Sequence, residues 1–217
     1  MFESRLAALI PAPASAILLC LIAGYVDAIG YIDYDHVFAA NMTGNTVLLS
    51  ISLAQADWPL AATRMLTLAS FLLGALAAEF IKRAGFRPTL PLLLSGAALV
   101  LVYTVRLDAN WALAALSFGM GLQGGSVSRF ANINVQTVVI TGTLLKLAEA
   151  TVHRLASGQD AAQPASPPYA LSLFWLTWLS YAVGAVLSLA AQGLGPLKFL
   201  LPLIPLIPAA LSESRRS

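Results

Sequence analysis

The stretch VFAANMTGNTVLLSISLAQA, residues 37–56, carries no charge, yet it does not read as an ordinary membrane helix. It opens on small, apolar and amide residues, passes Thr43-Gly44, and only then settles into an apolar helical pattern. That helical part is about a dozen residues, or ~18 Å, against the ~30 Å of a bilayer's hydrocarbon core. It is too short to span alone. A second stretch of the same design, ANINVQTVVITGTLLKLAEA at 131–150, passes Thr141-Gly142. Thr43 and Thr141 are the expected N-caps, because a threonine oxygen accepts from the free amides of a first helical turn.

Around these two broken segments lie six more conventional runs, at 6–26, 65–81, 88–105, 109–128, 169–192 and 199–212. The 217 residues are 59% hydrophobic and only 10% charged, with a mean hydropathy of +0.80. A soluble domain carries about 25% charged residues. A chain this apolar cannot clothe a water-facing surface, which excludes a soluble enzyme, a nucleic-acid-binding domain and a disordered chain. The net charge of +2 calls for no acidic partner, and the single Cys20 allows neither a disulfide nor a cysteine metal site. The first apolar run is read as a transmembrane helix rather than a cleaved signal peptide. The fold class that follows is an all-α membrane protein, one transmembrane domain over 1–217. It has six spanning helices plus two broken or re-entrant Thr-Gly segments.

The segments recur in order. Gly24 precedes Gly44 much as Gly121 precedes Gly142. LASFLLGALAAEF (68–80) matches WLSYAVGAVLSLA (178–190), and Gly85-Phe86-Arg87-Pro88 matches Gly193-Leu194-Gly195-Pro196. The halves are about 14–106 and 109–213, with a polar linker at 157–168. Lys and Arg concentrate on the cytoplasmic side of bacterial membrane proteins. If both Thr-Gly segments enter and return on one side, nine of the twelve Lys and Arg fall inside. Both termini are then cytoplasmic, in a bacterial inner membrane. Arg64 and Arg106 face out, with Asp33, Asp35 and Asp108 and an aromatic belt of Trp58, Tyr103 and Trp111. Each half then has an odd number of spans, so the repeat is inverted. Paired broken helices at an inverted-repeat interface are a recurrent transporter architecture.

The motifs GYVDAIGYI (24–32), FAANMTGNTVLL (38–49), GLQGGSVSRF (121–130) and VQTVVITGTLLKLA (135–148) resemble those of the YoaK-type bacterial transmembrane family. The resemblance covers essentially the whole chain. It departs at Gly124 and Gly125, where the family usually has asparagine or alanine after the GLQ. It implies a bacterial inner-membrane protein of six or seven helices and carries no assigned activity.

Among candidate residues, Asp27 closes the first apolar run. An ionisable group at membrane depth is by default a functional candidate, here for carrying a coupling proton. The alternative is an interfacial Asp27, hydrated beside Asp33 and Asp35. Asn41, Thr43, Gly44 and Asn45 surround the first turn. Asn134, Thr141, Gly142 and Thr143 surround the second, with Gln136 and Thr137 nearby and Gln123 from the preceding helix. Helix N-termini attract anions, and amide side chains suit neutral polar solutes. The same residues alternatively do no more than satisfy broken backbone and hold helices together. Arg129 is either an anion contact or an inner-face anchor. Glu79 is spaced to pair with Lys82 and Arg83 on a helix surface. His36 and His153 stand apart, so no metal is expected, and no motif calls for a cofactor or a catalytic centre. The reading is a secondary transporter of a small polar or anionic solute in the lipid bilayer, not an enzyme. A homodimer is the expected partner arrangement, and no nucleic acid is expected. A channel and a non-transport scaffold are the alternatives.

Overall fold

The computed structural model describes residues 12–105, 107–126, 129–130, 133–134, 140–156 and 170–214. The expectations for Gln136, Thr137, Arg106 and the linker 157–168 lie outside them. Within the described residues there are eight α-helices. They are α1 (Ala12–Asp33), α2 (Met42–Ala54), α3 (Trp58–Arg83), α4 (Thr89–Val105), α5 (Ala109–Ser126), α6 (Ile140–Ala156), α7 (Ala170–Ala190) and α8 (Leu203–Glu213). A 3-10 stretch, Ala191–Phe199, links α7 towards α8, and β1 (Arg129–Phe130) pairs antiparallel with β2 (Ile133–Asn134). The helical class is as expected. Three segments are long and apolar enough to cross a membrane: Ala14–Asp33, Trp58–Arg83 and Ala170–Phe199. Apolar helices too short for that test are α2, α4 and α8.

Local chemistry sets the helix ends. Asp57 caps α3, its side chain accepting from Leu60 N at 3.2 Å, and Pro59 sits in the first turn, where no amide partner is needed. The helix stops at Gly85, whose φ of 83° is left-handed, and Gly195 turns the chain after α7 with a φ of 57°. Both lie eleven residues after a glycine that crosses another helix, Gly74 and Gly184. α1 does not stop at the first carboxylate as the charge pattern implied. It runs on through Asp27 to Asp33, since helix packing on both sides outweighs one polar residue.

Two close helix pairs make the frame, α1 against α7 and α3 against α5. Each pair crosses at glycines. A Cβ at Gly24 would strike the carbonyl of Tyr181, and one at Gly184 the carbonyl of Leu21. In the other pair, Gly74 meets Phe118 O and Gly121 meets Phe71 O. Only a residue without a side chain lets the backbones come so close. α5 is buried along most of its length and packs on α4, while α8 packs back on α1.

Directions follow from contacts at the two ends. Ser15 near the start of α1 donates to Ser212 near the end of α8, at 2.9 Å. Asp33 at the far end of α1 pairs with Lys198 at 2.6 Å, and Tyr25 donates to Lys198 O at 2.9 Å. A cleft of about 760 Å³ gathers Asp35 and His36 with Asp57, Thr63 and Asn110. The chain therefore leaves one end of the bundle after α1 and is back at that same end when α3 begins. The exposed Trp58 and Trp111 start α3 and α5 at this end. On the flanks, Leu72, Leu76 and Phe80 of α3 and Trp175, Val183 and Val186 of α7 are exposed. Apolar faces of that extent suit hydrocarbon, not water.

Candidate functional site

The path from α1 into α2 turns twice in left-handed conformation, at Asp35 (φ 48°) and His36 (φ 58°), and then passes close to Gly30. A side chain at Gly30 would meet the backbone of Val37 and Ala39. Tyr31 stacks on His36 and on Phe38 at centroid distances of 4.8 and 5.0 Å, and His36 Nδ1 lies 3.2 Å from Tyr31 O. The residues of this path have no strand partner, so their backbone groups need other ones.

Asp27 and Asn45 supply them. Asp27 is buried at 2% exposure. Its Oδ1 accepts from Ala40 N at 2.5 Å and from Asn41 N at 3.0 Å, and its Oδ2 accepts from the Tyr181 hydroxyl of α7 at 2.5 Å. Of the two readings open for Asp27, burial is the one observed: it is not hydrated beside Asp33 and Asp35. Asn45 accepts from Phe38 N at 2.9 Å and donates to Phe38 O at 2.6 Å, so one side chain replaces a strand neighbour. Asn41, not Thr43, caps α2: its Oδ1 accepts from Gly44 N at 3.1 Å. Thr43 lies one residue inside the helix and is exposed, because Asn41, placed just before the helix, already accepts from the first-turn amide. Gly44 N and Asn45 N in the first turn of α2, and the amides of Ala40 and Asn41 before it, are thus bound to the protein's own oxygens.

At the other end of α2, Arg64 of α3 donates to Leu48 O at 2.6 Å and also to Ser52 Oγ. Arg64 is only 6% exposed. It was expected at the outer surface and is instead buried between helices, since α3 begins early enough to enclose it. A carboxylate at the start of α2 and a guanidinium towards its end both complement the helix dipole. Burial and the neighbouring Asp33 charge push the Tyr34 hydroxyl, just past α1, up to about 12, so it stays protonated.

The second Thr-Gly segment is built differently. α6 begins at Ile140, so Thr141 is a first-turn residue rather than an N-cap, and its side chain is exposed. Gly142 is half-buried and Thr143 is buried at 2%. Arg129 and Asn134 stand opposite each other in the β1–β2 rung, with β1 beside α1. Gln123 is fully buried on α5 and donates from Nε2 to Leu19 O at 3.0 Å. The structure thus joins Asp27, Asn41, Gly44 and Asn45 around one tip, and places Gln123 against α1 further from that tip. α2 packs on α3, and α6 packs on α7. Glu79 pairs with Lys82 at 2.8 Å and Arg83 at 3.1 Å on the surface, as its spacing predicts. No group of three or more metal-ligating side chains is found among the described residues.

Tyr181 and Arg64 were not singled out by sequence. Tyr181 was detectable: it stands three residues before Gly184 as Asp27 stands three after Gly24, so both fall beside a glycine crossing. Arg64 gave no signal, because a lone arginine near a span end reads as an anchor.

A family model described as "Protein of unknown function (DUF1275)" matches residues 15–212. Among curated proteins, "UPF0700 transmembrane protein YoaK" of Bacillus subtilis (strain 168) is 30% identical over 149 residues, covering 64% of this chain and 66% of that protein. The matched region is thus just under two thirds of the relative's own length. No solved structure matches the chain.

Proposed function

The chain belongs to the DUF1275 family, whose function is unknown, and we propose that it is a proton-coupled secondary transporter of a small polar solute. Membership and composition make it a membrane protein; the rest is argued from geometry. The chain is an inverted repeat with six spans, and residues 34–57 form a re-entrant hairpin that returns to its own side. Supporting the repeat, the crossing glycines are reciprocal in both pairs, each meeting the residue three before its partner glycine. Supporting the inversion, the start of α5 shares an end of the bundle with the finish of α1. Both termini would be cytoplasmic, in a bacterial inner membrane, with a homodimer as the assembly.

One observation carries the transport reading. The buried Asp27 carboxylate binds the broken tip before α2 through two amides, and through Tyr181 it binds α7, a helix of the other half. Its protonation is therefore linked to how the halves meet, which is what coupling requires. The filled amides also bear on the solute. An anion at the Ala40 and Asn41 amides would have to displace Asp27, which favours a neutral polar molecule. Thr43, Gly44 and Asn45 would face Thr141, Gly142 and Thr143 across the pathway, with Asn41, Gln123 and Asn134 as further hydrogen-bonding groups. Arg129 would be an anchor at the inner face.

Purified protein in liposomes loaded with a pH dye tests this, challenged with pools of amino acids, hydroxy acids and polyols. Proton entry following one pool is expected for the native protein and lost in Asp27→Asn, while solute exchange at equal concentrations persists. A native protein that moves none of the pools, or an Asp27→Asn variant with unchanged proton entry, overturns the reading.

A further inference from the structure

Where α1 and α5 meet, the bundle encloses a void of about 10 Å³, bordered by Ile22, Val26, Ser95, Leu99, Gln123 and Leu206. Its walls come from α1, α4, α5 and α8, so it lies at the centre of the bundle and away from the Asp27 tip. All but two of these six side chains are apolar. Ser95 is spoken for as a donor, since its hydroxyl gives its proton to Leu92 O at 2.7 Å, but its oxygen keeps lone pairs. Gln123 is the more telling. Leu19 O, a carbonyl, can only accept, so the carboxamide must turn its NH₂ towards α1. That fixes the direction of Oε1, and this oxygen, fully buried, has no hydrogen-bond partner.

A buried amide oxygen in a medium without water loses its hydration and recovers it only from a donor. The protein provides none. A void of this size holds about one water-sized molecule, and buried waters are found where polar groups would otherwise go unsatisfied. We infer that the void is a binding site for one small neutral hydride with at least two donor hydrogens, water or ammonia, held between Gln123 Oε1 and Ser95 Oγ. One donor goes to each oxygen. A cation does not fit, because two neutral oxygens in an apolar wall cannot replace its hydration shell. Asp27 is not part of this site.

Water-edited solid-state NMR of carbon-labelled protein in lipid bilayers tests the inference. The Gln123 Cδ signal, assigned by its loss in Gln123→Met, should be polarised from mobile protons several-fold faster than the methyl carbons of buried Leu113. In Ser95→Ala the transfer at Gln123 Cδ should fall more than twofold. In Gln123→Met, which keeps the volume, the Ser95 Cβ signal should lose its transfer. Loading with ¹⁵N-ammonium at alkaline pH separates the two sources. A nitrogen–carbon dipolar contact at Gln123 Cδ identifies ammonia, and transfer without it identifies water. Gln123 Cδ polarised no faster than Leu113 and showing no nitrogen contact overturns the site.

Discussion

Asn45, Leu49 and Ser52 are the buried positions of α2; Thr143, Leu147 and Ala150 are those of α6 among its described side chains, 141–152. The spacing is the same, and in each case the residue after the Thr-Gly pair points inwards. What differs is how the helices are held. α2 has a carboxylate at its start, a guanidinium towards its end and a buried asparagine bridging to Phe38. At the position three residues after the crossing glycine, where α1 has Asp27, α5 has Gly124. The first segment carries a charged clamp. Like spacing of buried positions thus comes with unlike chemistry at the position three residues after the crossing glycine.

The comparison breaks most visibly at the clamp. Asp27→Ala strips a partner from two amides and a tyrosine hydroxyl at once, and should cost about 3 kcal/mol, since each buried group left bare costs roughly 1–3. Thermal unfolding in detergent would then move down by roughly 6–12 °C at this chain length. A loss no larger than that of Gly124→Ala would mean the two segments are held alike. Next come the crossings. Gly24→Ala and Gly121→Ala each drive a methyl into a backbone carbonyl and should each cost about 2 kcal/mol, within the usual range for overpacking. Equal losses sharpen the common frame; a tolerated Gly121→Ala with an intolerant Gly24 would end it. The smallest effect separates the caps. Asn41→Ala should cost about 1 kcal/mol, as N-cap losses do. Thr43→Ala and Thr141→Ala, exposed in the first turn, should stay within about 0.5 kcal/mol, as surface changes do. If Thr43→Ala costs more than Asn41→Ala in the same melting assay, the cap is misassigned.

Much of the fold was legible because it rests on local or repeated signals. The helical class and the Glu79–Lys82–Arg83 cluster are where composition and spacing put them. The cap of α2 lies two residues before the expected Thr43, because Asn and Thr are both good caps and only the backbone path chooses between them. Four of the eleven candidate residues, Asp27, Asn41, Gly44 and Asn45, come together at one tip. Asp27 could be read as deep or interfacial from the sequence, since the distance from a charge to a helix end depends on where that helix stops. Arg64 misled for the same reason: in a linear count it is a loop cation, and in the bundle it is an internal clamp.

The sequence by itself determined that the chain is a membrane protein built of helices. Composition and periodicity suffice for that, because the cost of exposing polar backbone or charge to hydrocarbon is paid residue by residue. Only the tertiary structure decided which carboxylate is buried, that Tyr181 from the other half completes it, and that Gln123 is turned to leave an oxygen bare. Those facts depend on helices distant in the chain arriving at one point in a given direction. No local preference encodes where a helix more than 150 residues away will set its hydroxyl, as Tyr181 does on Asp27 with 154 residues between their positions.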